Sequence, residues 1–276
     1  MTCASMINSS RTSLSARSFV LTLVVLLASP TWGQYSDQVN RWVAQDSADL
    51  VPTGGIVFAG SSSIRRWEEL TRDFHDYNIL QRGLGGSTFD TYQPYVSDTI
   101  VAHAPRAVVV FLGTNDIAGG ASGNDVVADF NTFTGAIHAS LPDTHIYYLG
   151  ITPTPGRQGN RAREDTANAG ISNIAAGDTR IHYIDIPGTF DALGAYNGPN
   201  YTNKFVDSIH LNRDGYDVWE SVIRPAIAAE FAPDKSYVPN PNTLKPGERL
   251  LMDFGPSNVD DGRDHGRAGR QWELLE

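Results

Sequence analysis

The sequence predicts an α/β fold built on a parallel sheet, and three observations predict it. From residue 55 onward, short runs of β-branched and apolar residues alternate with longer stretches of helical period, the pattern of successive βαβ units. Five such runs, at 55–59, 78–81, 107–112, 145–149 and 180–186, read as strands buried on both faces. Two aperiodic segments, 152–160 (rich in Pro and Gly) and 187–206 (rich in Gly, Tyr and Asn), follow strands on the edge where open α/β sheets place their ligands.

Taken in order, the chain begins with a segment that resembles a secretory signal peptide. Arg11 and Arg17 precede the apolar run 19–28, and the small residues Thr31 and Gly33 follow, which predicts cleavage after Gly33 and an exported or periplasmic protein. As a helix that run reaches only about 15 Å, against roughly 30 Å of bilayer hydrocarbon, so stable membrane insertion is not expected. The single cysteine, Cys3, lies upstream of the run, which leaves nothing in the mature chain to form a disulfide. The whole chain carries a formal charge of −10, and removing two arginines and no acids takes it to −12. That balance argues against a nucleic-acid partner.

Residues 34–232 then form the expected catalytic domain. Within it Val126, Val127, Phe130, Phe133, Ile137 and Leu141 recur at helical spacing behind the candidate caps Asn124 and Asp125. Tyr216, Trp219, Val222, Ile223 and Ile227 repeat the period, with Pro225 an expected kink. Residues 233–248 read as a Pro-rich linker. Residues 249–276 read as a charged tail or an incomplete β module, with one candidate strand at 249–254. Asp260, Asp261 and Asp264 lie near Gly262 but lack the rest of a calcium-loop pattern. No His-Glu-x-x-His occurs, so no metal or other cofactor is expected.

The chemistry begins at Gly60-Ser61-Ser62-Ser63-Ile64, where the first strand runs into residues of helical spacing, Ile64, Trp67 and Leu70. A serine at a helix start meets unpaired backbone N–H groups and the positive end of the helix dipole, which suits a nucleophile. A serine run also simply caps a helix, and this segment alone does not separate the two readings. A hydroxyl needs a base held by a carboxylate, and Asp207-Ser208-Ile209-His210 supplies that pair three residues apart before the final helix. An acidic cap beside a solvated histidine has the same sequence. Histidines 75, 103, 138, 145, 182 and 265 have no carboxylate at this spacing after a strand and are assigned to surface or core. Gly83-Leu84-Gly85-Gly86-Ser87 and Gly113-Thr114-Asn115-Asp116, each after a strand, offer backbone and amide donors for an oxyanion. The first is not a dinucleotide fingerprint, because Thr88 stands where the third glycine is needed.

Together and in this order, the four segments resemble the sequence blocks of the SGNH hydrolases, the GDSL-type esterases and acetylhydrolases of the platelet-activating-factor kind. The resemblance spans about residues 55 to 230 and departs from the usual Gly-Asp-Ser at Ser61. It implies a three-layer α/β/α fold with a five-stranded parallel sheet. Carried over residue by residue, it implies Ser62 as nucleophile, Asp207 and His210 as its acid–base pair, and Gly86 and Asn115 as oxyanion donors. Ser61, expected to bond neighbouring loops, and Ser63 are the rival nucleophiles. The implied activity is hydrolysis of carboxylic esters, with acetyl esters of carbohydrates favoured as small-molecule or glycan substrates. Tyr196, Tyr201 and Phe205, interleaved with Asn197, Asn200 and Asn203, suggest a wall for a sugar. Lysophospholipase or lipase activity, O-acyl transfer by the same residues, and silent glycan binding are the alternatives.

Overall fold

The computed structural model describes residues 35–49 and 53–234, together with Met1, Gly33 and Val51. The expected signal peptide apart from Met1 and Gly33, the tail 249–276 with its candidate strand and aspartates, His265 and the expected linker beyond Asp234 lie outside the described residues. The first residues of that linker are not free of the domain: the Asp234 carboxylate accepts from Asn78 N–H at 2.7 Å and pairs with Arg106.

Five parallel strands, β1 (Ile56–Gly60), β2 (Ile79–Gly83), β3 (Ala107–Phe111), β4 (His145–Leu149) and β5 (Ile181–Ile184), form one sheet in the order β2-β1-β3-β4-β5. Alternation along each strand divides the core. Val57, Ala59, Val108 and Val110 point to one face, where the helices Ser36–Asp49, Gly123–Ser140 and Arg161–Gly177 cover them. Ile56, Phe58, Val109 and Phe111 point to the other, under the Arg213–Glu230 helix and the Ile64–Phe74 segment. Helices on both faces of a parallel sheet make its strands predominantly apolar, and the polar Gln81 and Arg82 of β2 are buried with side-chain hydrogen bonds to Ile64 O and to Asp46. The expected three-layer α/β/α architecture is therefore present.

Several boundaries differ from the sequence expectation for identifiable reasons. The long helix over 123–140 is capped by Ser122, whose side chain accepts from Asp125 N–H while the Asp125 carboxylate accepts from Ser122 N–H, so Asp125 completes the cap from inside the helix. The last helix runs from Arg213 to Glu230 through Pro225. Ile64, Trp67 and Leu70 are buried as expected, but on two one-turn helices, Ser62–Arg65 and Leu70–Asp73, instead of one. The helix Arg161–Gly177 shows no clean apolar period in the sequence, because its buried face includes Glu164 and Asn168 beside Ala167 and Ile171.

The chain leaves β1 toward β2 and returns to β3 on the other side of β1. The C-terminal ends of β1 and β3 therefore flank the point where the winding reverses, and a crevice opens there.

Candidate active site

Gly60 ends β1, paired with Gly83 of β2 and Phe111 of β3. Its φ is +153°, and a Cβ there would stand 2.4 Å from Phe111 O, so only glycine lets the chain turn out of the sheet this close to β3. The turn delivers Ser62 as the first residue of a short helix, whose cap residue Ser61 makes no side-chain bond to it. At the far end of the chain, Phe205 and Leu211 form an isolated bridge and Val206 N–H donates to His210 O at 2.9 Å, closing a loop that carries Asp207 through His210.

These two segments meet. His210 Nε2 lies 2.9 Å from Ser62 Oγ, and His210 Nδ1 lies 2.8 Å from Asp207 Oδ2. Asp207 Oδ1 accepts from the backbone N–H groups of Ile209 and His210 at 2.7 and 2.6 Å. Partial burial works against the Asp207 charge, but the two amides and the imidazole outweigh it and hold the carboxyl down at about 2. An ionised carboxylate can only accept, so His210 carries its proton on Nδ1 and presents Nε2 as acceptor to the Ser62 hydroxyl. Arg66 approaches Asp207 Oδ2 at 3.5 Å from the other side. The rival serines sit differently: Ser61 Oγ is buried with no partner, so the expected bond to neighbouring loops is not made, and Ser63 is buried with its carbonyl accepting from Tyr216.

Asn115 follows β3 and lines the same cleft as Ser62. Its Nδ2 donates to Ser87 O at 3.0 Å, and its Oδ1 accepts from Arg157 Nη2 at 2.9 Å. Gly86, with φ +80°, occupies the turn just before Ser87. That turn is fastened to the end of β1 by Leu84 N–H donating to Gly60 O at 2.7 Å. Gly86 is thus coupled to Ser62 and Asn115 through its neighbours, but it is not itself among the residues lining the cleft.

The expected sugar wall is corrected. Tyr201 is fully buried, stacked on Phe205 at 5.9 Å and donating to Pro153 O, while Tyr196 donates to Thr154 O. These rings fill the loop instead of facing a ligand, and of the three only Phe205 reaches the cleft. Asn197 bonds Gln158 at the rim, and Asn200 and Asn203 are exposed.

Two charged residues near the site were not legible as site residues. Arg157 lies in the 152–160 segment, where no spacing marks its target. Glu164 is buried with neither carboxylate oxygen hydrogen-bonded, and burial pushes it up to about 7. A carboxyl raised in this way keeps its proton in the folded state after the unfolded chain has released it. Stability should therefore fall as pH rises from about 4 to about 7 and level off above, and buried Asp116, pushed up to about 6, adds in the same direction. Glu164→Gln should flatten the dependence of Tm on pH across that window, and an unchanged slope would refute the assignment. Among the described residues no group of three or more His, Cys, Asp or Glu is placed to hold a metal ion, and no helix is long and apolar enough to cross a membrane.

The profile of the GDSL-like Lipase/Acylhydrolase family matches residues 31–218. No curated protein matches the chain. Similar solved structures include one from Streptococcus pneumonia named for platelet activating factor, at TM-score 0.61 and 18% identity over 71% of this chain and 94% of that one. A GDSL-like lipase from Bacteroides thetaiotaomicron matches at TM-score 0.53 and 18% identity, over 70% and 98%. A variant of an acetyl-xylooligosaccharide esterase from Geobacillus matches at TM-score 0.54 and 12% identity, over 67% and 99%. At these identities the structures testify to the fold, and the family match to the activity: the chain belongs to the GDSL-like lipase/acylhydrolase family and is a carboxylic ester hydrolase.

Proposed function

We propose that this esterase works through an acyl-enzyme on short acyl esters, foremost acetyl groups on carbohydrates outside the cytoplasm. The observation that carries the reading is the unbroken line from Asp207 through His210 to Ser62, with contacts of 2.8 and 2.9 Å. As Ser62 Oγ bonds to the ester carbonyl carbon, its proton passes to His210 Nε2 and the carbonyl electron pair moves onto oxygen. The Ser62 N–H and the Asn115 amide donate to that oxygen, and Gly86 shapes the turn whose Ser87 carbonyl holds the amide. Collapse expels the alcohol, which takes its proton from His210. Water then attacks the acyl-enzyme by the same route and releases the acid.

The cleft wall supports a short acyl group. Phe111 and Trp219 pack against each other at 4.8 Å and are both buried, and the aromatic rings of the 187–206 loop turn inward, so little apolar room is left for a long chain. The existence of an acetyl-xylooligosaccharide esterase on this fold supports a sugar as the alcohol. The predicted kcat/KM is highest for acetyl esters and falls with chain length, and a steady rise from acetyl to dodecanoyl esters would defeat the short-acyl reading and favour a lipase.

The oxyanion assignment has its own test. A donor to charge that appears only in the transition state affects kcat more than KM, so Asn115→Ala should lower kcat by roughly 10²–10³, about 2.7–4 kcal/mol, with KM little changed. If Asn115 only shaped its turn, kcat would stay within about threefold of the parent and the loss would appear in Tm.

A further inference from the structure

We infer that Arg157 is a positioning residue for the oxyanion site, fixing which end of the Asn115 amide faces the ester and strengthening its N–H as a donor. The inference rests on the oxyanion role proposed above for Asn115. An amide side chain has a donor end and an acceptor end, and only one of them can serve an oxyanion. The guanidinium of Arg157 can only donate, and the carbonyl of Ser87 can only accept. With Arg157 Nη2 at 2.9 Å from Oδ1 and Ser87 O at 3.0 Å from Nδ2, the amide is held at both ends, and a flip would set donor against donor and acceptor against acceptor. One Nδ2–H is used by Ser87, which leaves the second for the cleft that Asn115 shares with Ser62.

The charge matters as well as the geometry. A cation on Oδ1 draws electron density through the amide and makes the remaining N–H a better donor, the more so where water is partly excluded. Arg157 keeps that charge available, because its other bond goes to the neutral hydroxyl of Thr114 at 2.8 Å and it forms no ion pair among the described residues. The acid nearest in influence is Glu164, whose carboxylate oxygens make no hydrogen bond to Arg157 or to any other group and which burial pushes up to about 7. The loop that carries Arg157 is itself anchored to the acid–base segment: Gly156 N–H donates to Ser208 O at 2.7 Å, between Asp207 and His210. A single peptide step thus joins the part of the site that moves the proton to the part that would meet the oxyanion.

The test is a double-mutant cycle on a neutral aryl acetate, a substrate with no anionic group for Arg157 to bind directly. Arg157→Ala should lower kcat roughly 10- to 100-fold with KM within about threefold. Added to Asn115→Ala, the same substitution should cost less than about twofold, because the group it acts through is gone. Guanidinium ion in the buffer should restore part of the kcat of Arg157→Ala and none of that of Asn115→Ala. If Arg157→Ala does not fold, as judged by thermal unfolding, Arg157→Lys and Arg157→Gln carry the same cycle, with Lys retaining more activity than Gln. Equal losses in both backgrounds, a loss confined to KM, or a kcat within about twofold of the parent would overturn the inference. The two levels separate cleanly: if Asn115→Ala keeps parental kcat, the oxyanion reading falls and takes this inference with it, whereas a large loss in Asn115→Ala beside parental Arg157→Ala defeats the role of Arg157 alone.

Discussion

Ser62→Ala is expected to lower kcat by roughly 10⁵–10⁶ while leaving the fold intact. The size follows from what the hydroxyl does. In the proposed route it forms the bond to the acyl carbon; without it His210 and Asp207 would have no proton to move, and only binding and the proposed oxyanion donors would remain. The fold is expected to survive because Ser62 lies at the start of a one-turn helix whose neighbours, Ile64 and Trp67, supply the buried contacts. Activity in Ser62→Ala above about one part in 10³ of the parent would mean that another hydroxyl is acting, with Ser61 and Ser63 the first to examine.

Asp207→Asn is expected to lower kcat by up to about 10⁴, and the reason lies in the orientation that the site would force on the new amide. Oδ1 of Asp207 accepts from two backbone N–H groups, at 2.7 and 2.6 Å, so the carbonyl oxygen of an asparagine must take that position and its NH₂ must take the position of Oδ2. There it faces His210 Nδ1, which must then become an acceptor, and the ring proton moves to Nε2. Nε2–H would point at Ser62 Oγ as a donor, and the base would be blocked while every heavy atom stayed in place. Because the Asp207 carboxyl is held down at about 2, it remains ionised across the whole working range, and the acid limb of a pH–rate profile is not expected to belong to it. A kcat for Asp207→Asn within tenfold of the parent would show that the carboxylate does not set the tautomer of His210.

How much of this could be read from residues alone depended on whether the signal was local. β4 spans the same residues in sequence and structure, and the other four strands differ at their ends only, because short apolar runs rich in β-branched and aromatic residues, alternating with longer helical stretches, are a local signal. The Arg161–Gly177 helix was missed because Glu164 and Asn168 interrupt its apolar face; Asn168 bonds both the N–H and the carbonyl of Ile151, a long-range purpose that no local period reveals. Ser62 was legible because its motif directly follows a strand, and Asp207 with His210 because their pairing, three residues apart before the last helix, is itself local. Arg157 was not, since its partners Thr114 and Asn115 lie more than forty residues away. Tyr201 was misplaced for the opposite reason: an aromatic residue in a polar loop looks available until packing against Phe190, Tyr196 and Phe205 shows that it builds the loop's own core.

The central claim is that Ser62, activated by His210, is the nucleophile. A fluorophosphonate probe followed by peptide mass analysis tests it most directly, because such a probe reports only a serine whose oxygen is activated beside a working oxyanion site. The account predicts one adduct, on the peptide containing Ser62 and at Ser62 itself, abolished in Ser62→Ala and strongly slowed in Asp207→Asn. Labelling at Ser61 or Ser63, or a Ser62→Ala protein that still labels and still turns over ester, would contradict it.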